Sequence, residues 1–300
     1  MKKIALWAMC IAVMVLSGCR KAPEWKAEHV FVIGLDGWGA YSVAKADMPN
    51  VKALMDAGCY TLKKRSVLPS SSAVNWASMF MGAGPELHGY TEWGSRTPEL
   101  PSRVLNEHGI FPTVFSELRK AAPDAEMGVL YEWDGIKYLV DTLALNHHAQ
   151  APDYNTHPTA LCDMACEYIM QKKPVLSAFC FDNPDHVGHG DGHDTPAYYA
   201  KLKELDGYVG RIVDAIKEAG IYENSIIIVT ADHGGINKGH GGKTMEEMET
   251  PFIIAGKNIE KGGAFEESMM QFDCASTIAS VFNLEQPQVW IGRPMTQVFE

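Results

Sequence analysis

The stretch SIIIVTADHGG at residues 225–235 decides how this chain is read. Three isoleucines and a valine form a β-branched apolar run, the composition of a strand buried on both faces, as in a parallel sheet. The run ends abruptly in Asp232, His233 and two glycines. Open α/β sheets collect their ligands at the carboxyl ends of such strands, so an acid and an imidazole stand here where chemistry is done.

Working outward, comparable runs lie at His29 to Leu35, Gly128 to Tyr131, Val175 to Phe181 and Pro251 to Ala255. Helical periodicity separates several of them. Leu161, Met164, Ala165, Tyr168 and Ile169 share one face, as do Leu202, Leu205, Val209, Ile212, Val213 and Ile216 ahead of Gly220. The alternation predicts an α/β fold: a doubly wound, mostly parallel sheet with helices on both faces. The proline-interrupted segment from Gly89 to about Pro123 carries few periodic signals and is expected to be a small loop-rich insertion over the sheet's carboxyl edge.

At 300 residues, 46% hydrophobic and 21% charged, the chain suits one catalytic domain, placed at 28–300. Ahead of it stand Lys2 and Lys3, an uncharged run from Ile4 to Leu16, then Ser17-Gly18-Cys19. That run is too short to span a bilayer well and reads as a secretory signal. Its end resembles a bacterial lipobox, which implies a signal peptide at 1–18, lipid on Cys19 and a tether at 19–27. The expected product is an exported, membrane-anchored lipoprotein on the periplasmic or cell-surface side.

Removing residues 1–18 takes away only Lys2 and Lys3, so the net charge of −11 becomes −13. Binding to nucleic-acid duplexes is not expected of such a surface. With Cys19 committed to lipid, five cysteines remain, without a CxxC pair. Cys162 and Cys166 lie one helical turn apart, about 5–6 Å between Cβ atoms against the roughly 3.8 Å of a disulfide, and read as packing residues.

Three further loops carry metal-competent side chains. Ile33-Gly34-Leu35 leads into Asp36; Phe181 leads into Asp182-Asn183-Pro184-Asp185-His186-Val187-Gly188-His189; and His240 stands among Gly239, Gly241 and Gly242. Taken singly, Asp36 reads as a helix N-cap or turn former. Taken jointly, Asp36, Asp185, His189, Asp232, His233 and His240 offer three carboxylates and three imidazoles without a thiolate. That set suits two zinc-like divalent ions, each with an open position.

A nucleophile is also legible. Pro69 followed by Ser70, Ser71 and Ser72 signals a helix start, whose free N–H groups favour an anion such as phosphate. Ser70 or Ser71 serves as N-cap. Ser72 and Asn75 are three apart on one helical face. A hydroxyl beside a metal is easier to deprotonate, and an amide can donate to a phosphoryl oxygen without adding charge, so Ser72 is read as the nucleophile and Asn75 as its oxyanion partner.

Together, GLDG at 34–37, a hydroxyl three residues before Asn75, MGAGPELHG at 81–89, PDHVGH at 184–189, TADHGG at 230–235 and NKGHGG at 237–242 resemble the alkaline phosphatase superfamily, specifically its type I phosphodiesterase/nucleotide pyrophosphatase branch. The resemblance runs from about residue 28 to 298. It implies zinc, or another divalent ion, at Asp185, His189 and His240, a second at Asp36, Asp232 and His233, and Ser72 near both. It further implies hydrolysis of a small phosphate ester or nucleotide through a phosphoserine. Members with a threonine nucleophile have T-F-P-N-H; here Ser72-Ala73-Val74-Asn75-Trp76 keeps only the hydroxyl and the amide.

Among rivals, a sulfatase needs C/S-x-P-x-R, and Ser70 to Trp76 has no arginine. A metal-dependent phosphoglycerate mutase does not suit an exported protein. The main alternative is a phosphomonoesterase, for which Lys238 and Lys243 are candidate extra cations. A noncatalytic phosphate-ligand-binding lipoprotein would show a lost ligand or a lost Ser72. His147, His148, His157, His186 and His193 carry no assignment; His186 and His193 stand near the candidate ligands and read either as supports behind them or as exposed loop histidines, and Tyr90, Trp93 and Trp133 read either as base-stacking or as core.

Overall fold

The computed structural model describes residues 24–300. The expected signal peptide at 1–18, Cys19 and most of the expected tether lie outside the described residues. Eight strands form one sheet: β1 (His29–Leu35), β2 (Cys59–Arg65), β3 (Met127–Tyr131), β4 (His147–Gln150), β5 (Leu176–Phe181), β6 (Ser225–Thr230), β7 (Glu249–Gly256) and β8 (Gly263–Ala264). Their spatial order is β4-β3-β5-β1-β6-β7-β2-β8. β7 runs antiparallel to both its neighbours, and the remaining pairings are parallel.

The expected mostly parallel, doubly wound sheet is therefore present. The reason lies in the alternation along strands that are apolar on both sides. In β1, Val30 and Val32 enter one core, while Phe31, Ile33 and Leu35 enter the other. The first core is closed by α2 (Ser72–Met81), α4 (Val114–Ala121) and α9 (Asp273–Val281); the second by α1 (Pro49–Ala57), α5 (Ala160–Lys172) and α7 (Pro196–Glu218). Short helices α3 (Pro85–His88), α6 (Asp185–Asp191) and α8 (Met245–Met248) complete the order.

The loop-rich insertion is loops only as far as Pro112. Beyond it, Thr113 caps α4 by accepting from the Ser116 N–H at 3.1 Å, a capping box whose helix packs Val114, Phe115 and Leu118 inward. The five cysteines among the described residues are free thiols. Among the described residues no helix is long and apolar enough to cross a membrane.

Candidate active site

The sheet register gathers the site. Leu35 pairs with Phe181 and Gly34 with Thr230, so the segments after β1, β5 and β6 leave the sheet at one edge. They are then stitched to one another. The Asp36 N–H donates to the Phe181 carbonyl and the Asp185 N–H to the Asp36 carbonyl, both at 3.0 Å. Asp232 Oδ1 accepts from the Gly37 and His233 N–H groups at 3.1 and 2.8 Å. Both glycines of GLDG are forced. Gly37 has φ +70°, and a Cβ there would stand 2.6 Å from that of Asp185; a Cβ on Gly34 would stand 2.3 Å from the Trp76 ring.

All six sequence-predicted ligands meet beside Ser72. His189 Nε2 lies 3.1 Å from Asp185 Oδ2 and 3.2 Å from His240 Nε2, which is itself 3.7 Å from Asp185 Oδ2. His233 Nε2 lies 3.3 Å from both Asp36 Oδ1 and Asp232 Oδ2. Ser72 Oγ is 3.1 Å from His233 Nε2 and 3.5 Å from Asp36 Oδ1. Two donor sets converge within 4.8 Å: Asp185 with His189 and His240, and Asp36 with Asp185 and His233. Asp185 thus stands between the two clusters, and Asp232 adjoins the second through His233.

The donors are prepared for a cation. His233 Nδ1 pairs with the Gly234 carbonyl at 2.7 Å, His240 Nδ1 with that of Ser70 at 3.0 Å and His189 Nδ1 with that of Lys238 at 3.0 Å. In a neutral ring each pairing makes Nδ1 the donor and leaves Nε2, the inward atom, as a lone pair; Asp185 raises His189 to about 9, so a cation at that ring takes the place of a proton. Burial pushes the His233 pKa down to about 3 and lowers that of His240, favouring the neutral imidazoles that coordinate metals.

The carboxylates are in the opposite situation. Burial, then repulsion from Asp232 and Asp185, raises Asp36 well above the usual carboxylate range, and burial raises Asp232 likewise. Burial also works against Asp185, but the imidazoles packed around it, His189 and His193 first, outweigh it and hold that group low. Asp185 Oδ1 and Asp232 Oδ2 are buried without a hydrogen-bond donor. Such atoms cost about 1–3 kcal/mol each unless satisfied, and a divalent ion satisfies them. A nitrogen and oxygen set without thiolate fits zinc or a similar ion.

Residues 30–271 match the family model described as type I phosphodiesterase/nucleotide pyrophosphatase. The chain belongs to this family. The curated relatives include the catalytic subunit of human GPI ethanolamine phosphate transferase 2, 30% identical over 39% of this chain. A Schizosaccharomyces pombe pyrophosphatase/phosphodiesterase is 24% identical over 68% of it, and a 2,3-bisphosphoglycerate-independent phosphoglycerate mutase of Cereibacter sphaeroides 28% identical over 52%. The chain spans 12%, 44% and 29% of those proteins respectively.

Solved structures share the fold. Murine ectonucleotide pyrophosphatase/phosphodiesterase 5, in an inactive form with AMP, superposes with a TM-score of 0.71 at 15% identity, covering 87% of this chain and 96% of that one. A phosphonate monoester hydrolase of Silicibacter pomeroyi gives 0.69 at 15% identity, covering 89% and 75%. A sulfatase fold from Bacteroides thetaiotaomicron gives 0.72 at 15%, covering 90% and 74%. At these identities the likeness is one of fold.

Within this family framework one residue is placed differently from its sequence reading. Asn75 shares a helical face with Ser72, yet its amide is fully buried and committed to the preceding loop. Its Oδ1 accepts from the Val67 N–H at 2.7 Å, and its Nδ2 donates to the carbonyls of Val67, Pro69 and Ser71 at 3.1–3.2 Å. The side chain braces the loop that presents Ser72 and has no hydrogen left for a phosphoryl oxygen. The donor near the Ser72 hydroxyl is the helix start itself, because the N–H of Ser72 at the first position of α2 has no intrahelical acceptor.

Three residues support the donors, of which the sequence pointed only to His193. Trp76 donates its indole N–H to Asp36 Oδ2 at 3.0 Å, fixing which oxygen faces His233. His193 is buried with Nε2 3.3 Å from Asp185 Oδ1, its ring wedged where a Cβ on Gly188 or Gly235 would come within 2.3 Å. Lys64, fully buried in β2, donates to the Ala231 carbonyl at 2.6 Å and to Gln271, holding the strand end from which Asp232 projects. The loop of His240 is tied in by Ser70, whose Oγ donates to the Gly242 carbonyl at 2.7 Å.

A cavity of about 630 Å³ opens beside these groups, lined by Pro69, Ser71, Glu92, Trp93, His189, His240 and Gly241. Of the three aromatics singled out in the sequence only Trp93 faces it. Tyr90 is buried with its hydroxyl on the Tyr138 carbonyl, and Trp133 packs against the core. His147, His148, His157 and His186 are exposed and lie outside both donor sets. In MGAGPELHG, His88 is a buried brace between Ser78 and the Tyr90 N–H.

Proposed function

We propose that residues 28–300 form one catalytic domain that hydrolyses phosphate diesters or nucleotide pyrophosphate bonds through a phosphoserine at Ser72. The observation that carries this reading is the place of Ser72 Oγ, 3.1 Å from His233 Nε2 and 3.5 Å from Asp36 Oδ1, at the start of α2. Asp185, His189 and His240 would hold one zinc ion, and Asp36, Asp232 and His233 the other. When bound, such ions neutralise phosphoryl charge and ease deprotonation of a hydroxyl.

In the reaction, the Ser72 oxygen forms a bond to phosphorus as the opposite ester oxygen departs, leaving a phosphoserine. Water then attacks that phosphorus, frees Ser72 and releases the second product. The first turn of α2 directs its positive end at the phosphate throughout. The choice of diester over monoester follows from charge: the cavity wall contains no Lys or Arg, and the Lys238 ammonium is engaged by the Gly190 carbonyl at 2.6 Å. A monoester dianion would find little further neutralisation. The lipobox-like sequence ending at Cys19 supports an exported protein tethered by lipid, a reading that labelled palmitate incorporation, lost in Cys19→Ser, would test.

The deciding experiment offers zinc-loaded protein bis(p-nitrophenyl) phosphate, p-nitrophenyl phosphate, the p-nitrophenyl ester of thymidine monophosphate and p-nitrophenyl sulfate. One of the two diesters should dominate, and Ser72→Ala should abolish turnover while retaining zinc. A dominant monoester rate would replace the reading by a phosphomonoesterase; unchanged turnover in Ser72→Ala would remove Ser72 as nucleophile.

A further inference from the structure

The turn after α3 is fixed relative to the nucleophile. Glu99 accepts from the Thr91 N–H and from Ser95 Oγ, each at 2.8 Å, and Ser95 Oγ accepts from the Glu92 N–H at 3.0 Å. The Trp93 carbonyl accepts from the N–H of Ala73, the residue after Ser72, at 3.1 Å. At the apex of this turn stand Glu92 and Trp93, both lining the cavity that holds His189 and His240.

Trp93 is 68% exposed although the backbone beneath it is well bonded, so its indole is offered to the cavity rather than spent on the core. Among the described residues the Glu92 carboxylate lacks an ion-pair partner. Arg96, the nearest cation in sequence, is engaged with Asp134 at 3.6 Å and lies over the Tyr138 ring. A carboxylate beside an aromatic face, with no Lys or Arg in the same wall, attracts cations through charge and ring quadrupole and repels a second phosphate.

We propose that the substrate is a phosphate diester with an ammonium group on one ester arm, of ethanolamine or choline type, held by the Trp93 face and Glu92 while the phosphate meets Ser72. This rests on the hydrolase reading above and names its substrate class. A nucleobase would use the indole face and gain nothing from the charge of Glu92.

The test compares p-nitrophenyl phosphorylcholine with p-nitrophenyl 3,3-dimethylbutyl phosphate, which has the same shape with carbon in place of the charged nitrogen. The kcat/KM ratio should favour the choline ester by about tenfold or more. The ratio should fall toward one in Glu92→Gln and in Trp93→Leu, and be partly kept in Trp93→Phe. A parent ratio near one, or a ratio unchanged in both variants, overturns the proposal. Competition then separates the sources: glycerophosphocholine inhibiting marks a soluble ester, lysophosphatidylcholine alone inhibiting marks a lipid headgroup, and inhibition by neither overturns the proposal.

If neither aryl ester is turned over, the hydrolase reading has failed and calorimetry judges the pocket by itself. Phosphocholine binding more tightly than 3,3-dimethylbutyl phosphate, with the difference lost in Glu92→Gln, supports it. Equal affinities overturn it.

Discussion

Replacing Trp76 by Phe isolates the one donor that Asp36 Oδ2 receives. The indole is 1% exposed, lies against Gly34 and is parallel to Phe80 at a centroid distance of 6.0 Å, so phenylalanine can keep the stacking while losing the N–H. A smaller ring leaves a void of a few tens of Å³, about 1 kcal/mol at roughly 24 cal/mol per Å³. The buried carboxylate oxygen left without its donor adds about 1–3 kcal/mol. Urea denaturation of metal-free protein should therefore show a loss of about 2–4 kcal/mol.

Metal binding is the sharper readout. The indole bond favours the ionised form of Asp36, against burial and the neighbouring acids. Without it the carboxylate is costlier to ionise and free to turn, so the ion at Asp36, Asp232 and His233 should bind roughly 10–100-fold more weakly. Binding at Asp185, His189 and His240 should change little, because Trp76 makes no bond there. A zinc titration against a chelating indicator resolves the two steps. Equal weakening of both steps, or of neither, would refute the positioning role given to Trp76.

Two other changes probe the surroundings. Burial pushes Glu132 up to about 8, against the bond it accepts from the Asp182 N–H. The folded protein then holds a proton that the unfolded chain releases above its ordinary value of 4.5, so stability falls as pH rises through that window, at up to about 1.4 kcal/mol per pH unit. Glu132→Gln keeps the shape without the titration; its urea midpoint should vary less between pH 5 and 8 and exceed the parent's at pH 8, whereas parallel curves would contradict the assignment. Asn75→Ala strips the Val67 N–H and the Ser72 loop of their brace and should cost about 1–3 kcal/mol in stability along with activity; a large loss in kcat at unchanged stability would instead return Asn75 to the phosphate.

The extent to which this molecule is legible in its sequence follows from what each residue answers to. β1 and β6 announce themselves because a strand buried on both faces must be apolar at every position. β2 is hidden: its sequence CYTLKKR reads as half exposed, and nothing local says that Lys64 is buried beneath the strand end of Asp232. β4, with the sequence HHAQ, is an exposed edge strand with no apolar run to mark it. The six candidate donors stood out because His240 among glycines, or an acid and imidazole ending an isoleucine run, have no packing explanation. Trp76 did not, since an indole is ordinarily core and its partner, Asp36, comes from another strand end; His193 stands close to Asp185 in sequence, but a loop histidine is ordinarily surface and nothing local marks it as buried. For Asn75 the helical face was right but the direction of the amide was not, because spacing does not reveal what a buried amide is bonded to.

The claim on which everything else depends is that two divalent ions share a cage beside Ser72. Zinc-edge anomalous diffraction from crystals of metal-loaded protein tests it directly. The account predicts two peaks, one bounded by Asp185, His189 and His240 and the other by Asp36, Asp232 and His233, with Ser72 Oγ at the second. A single peak, or none at these side chains, would contradict it.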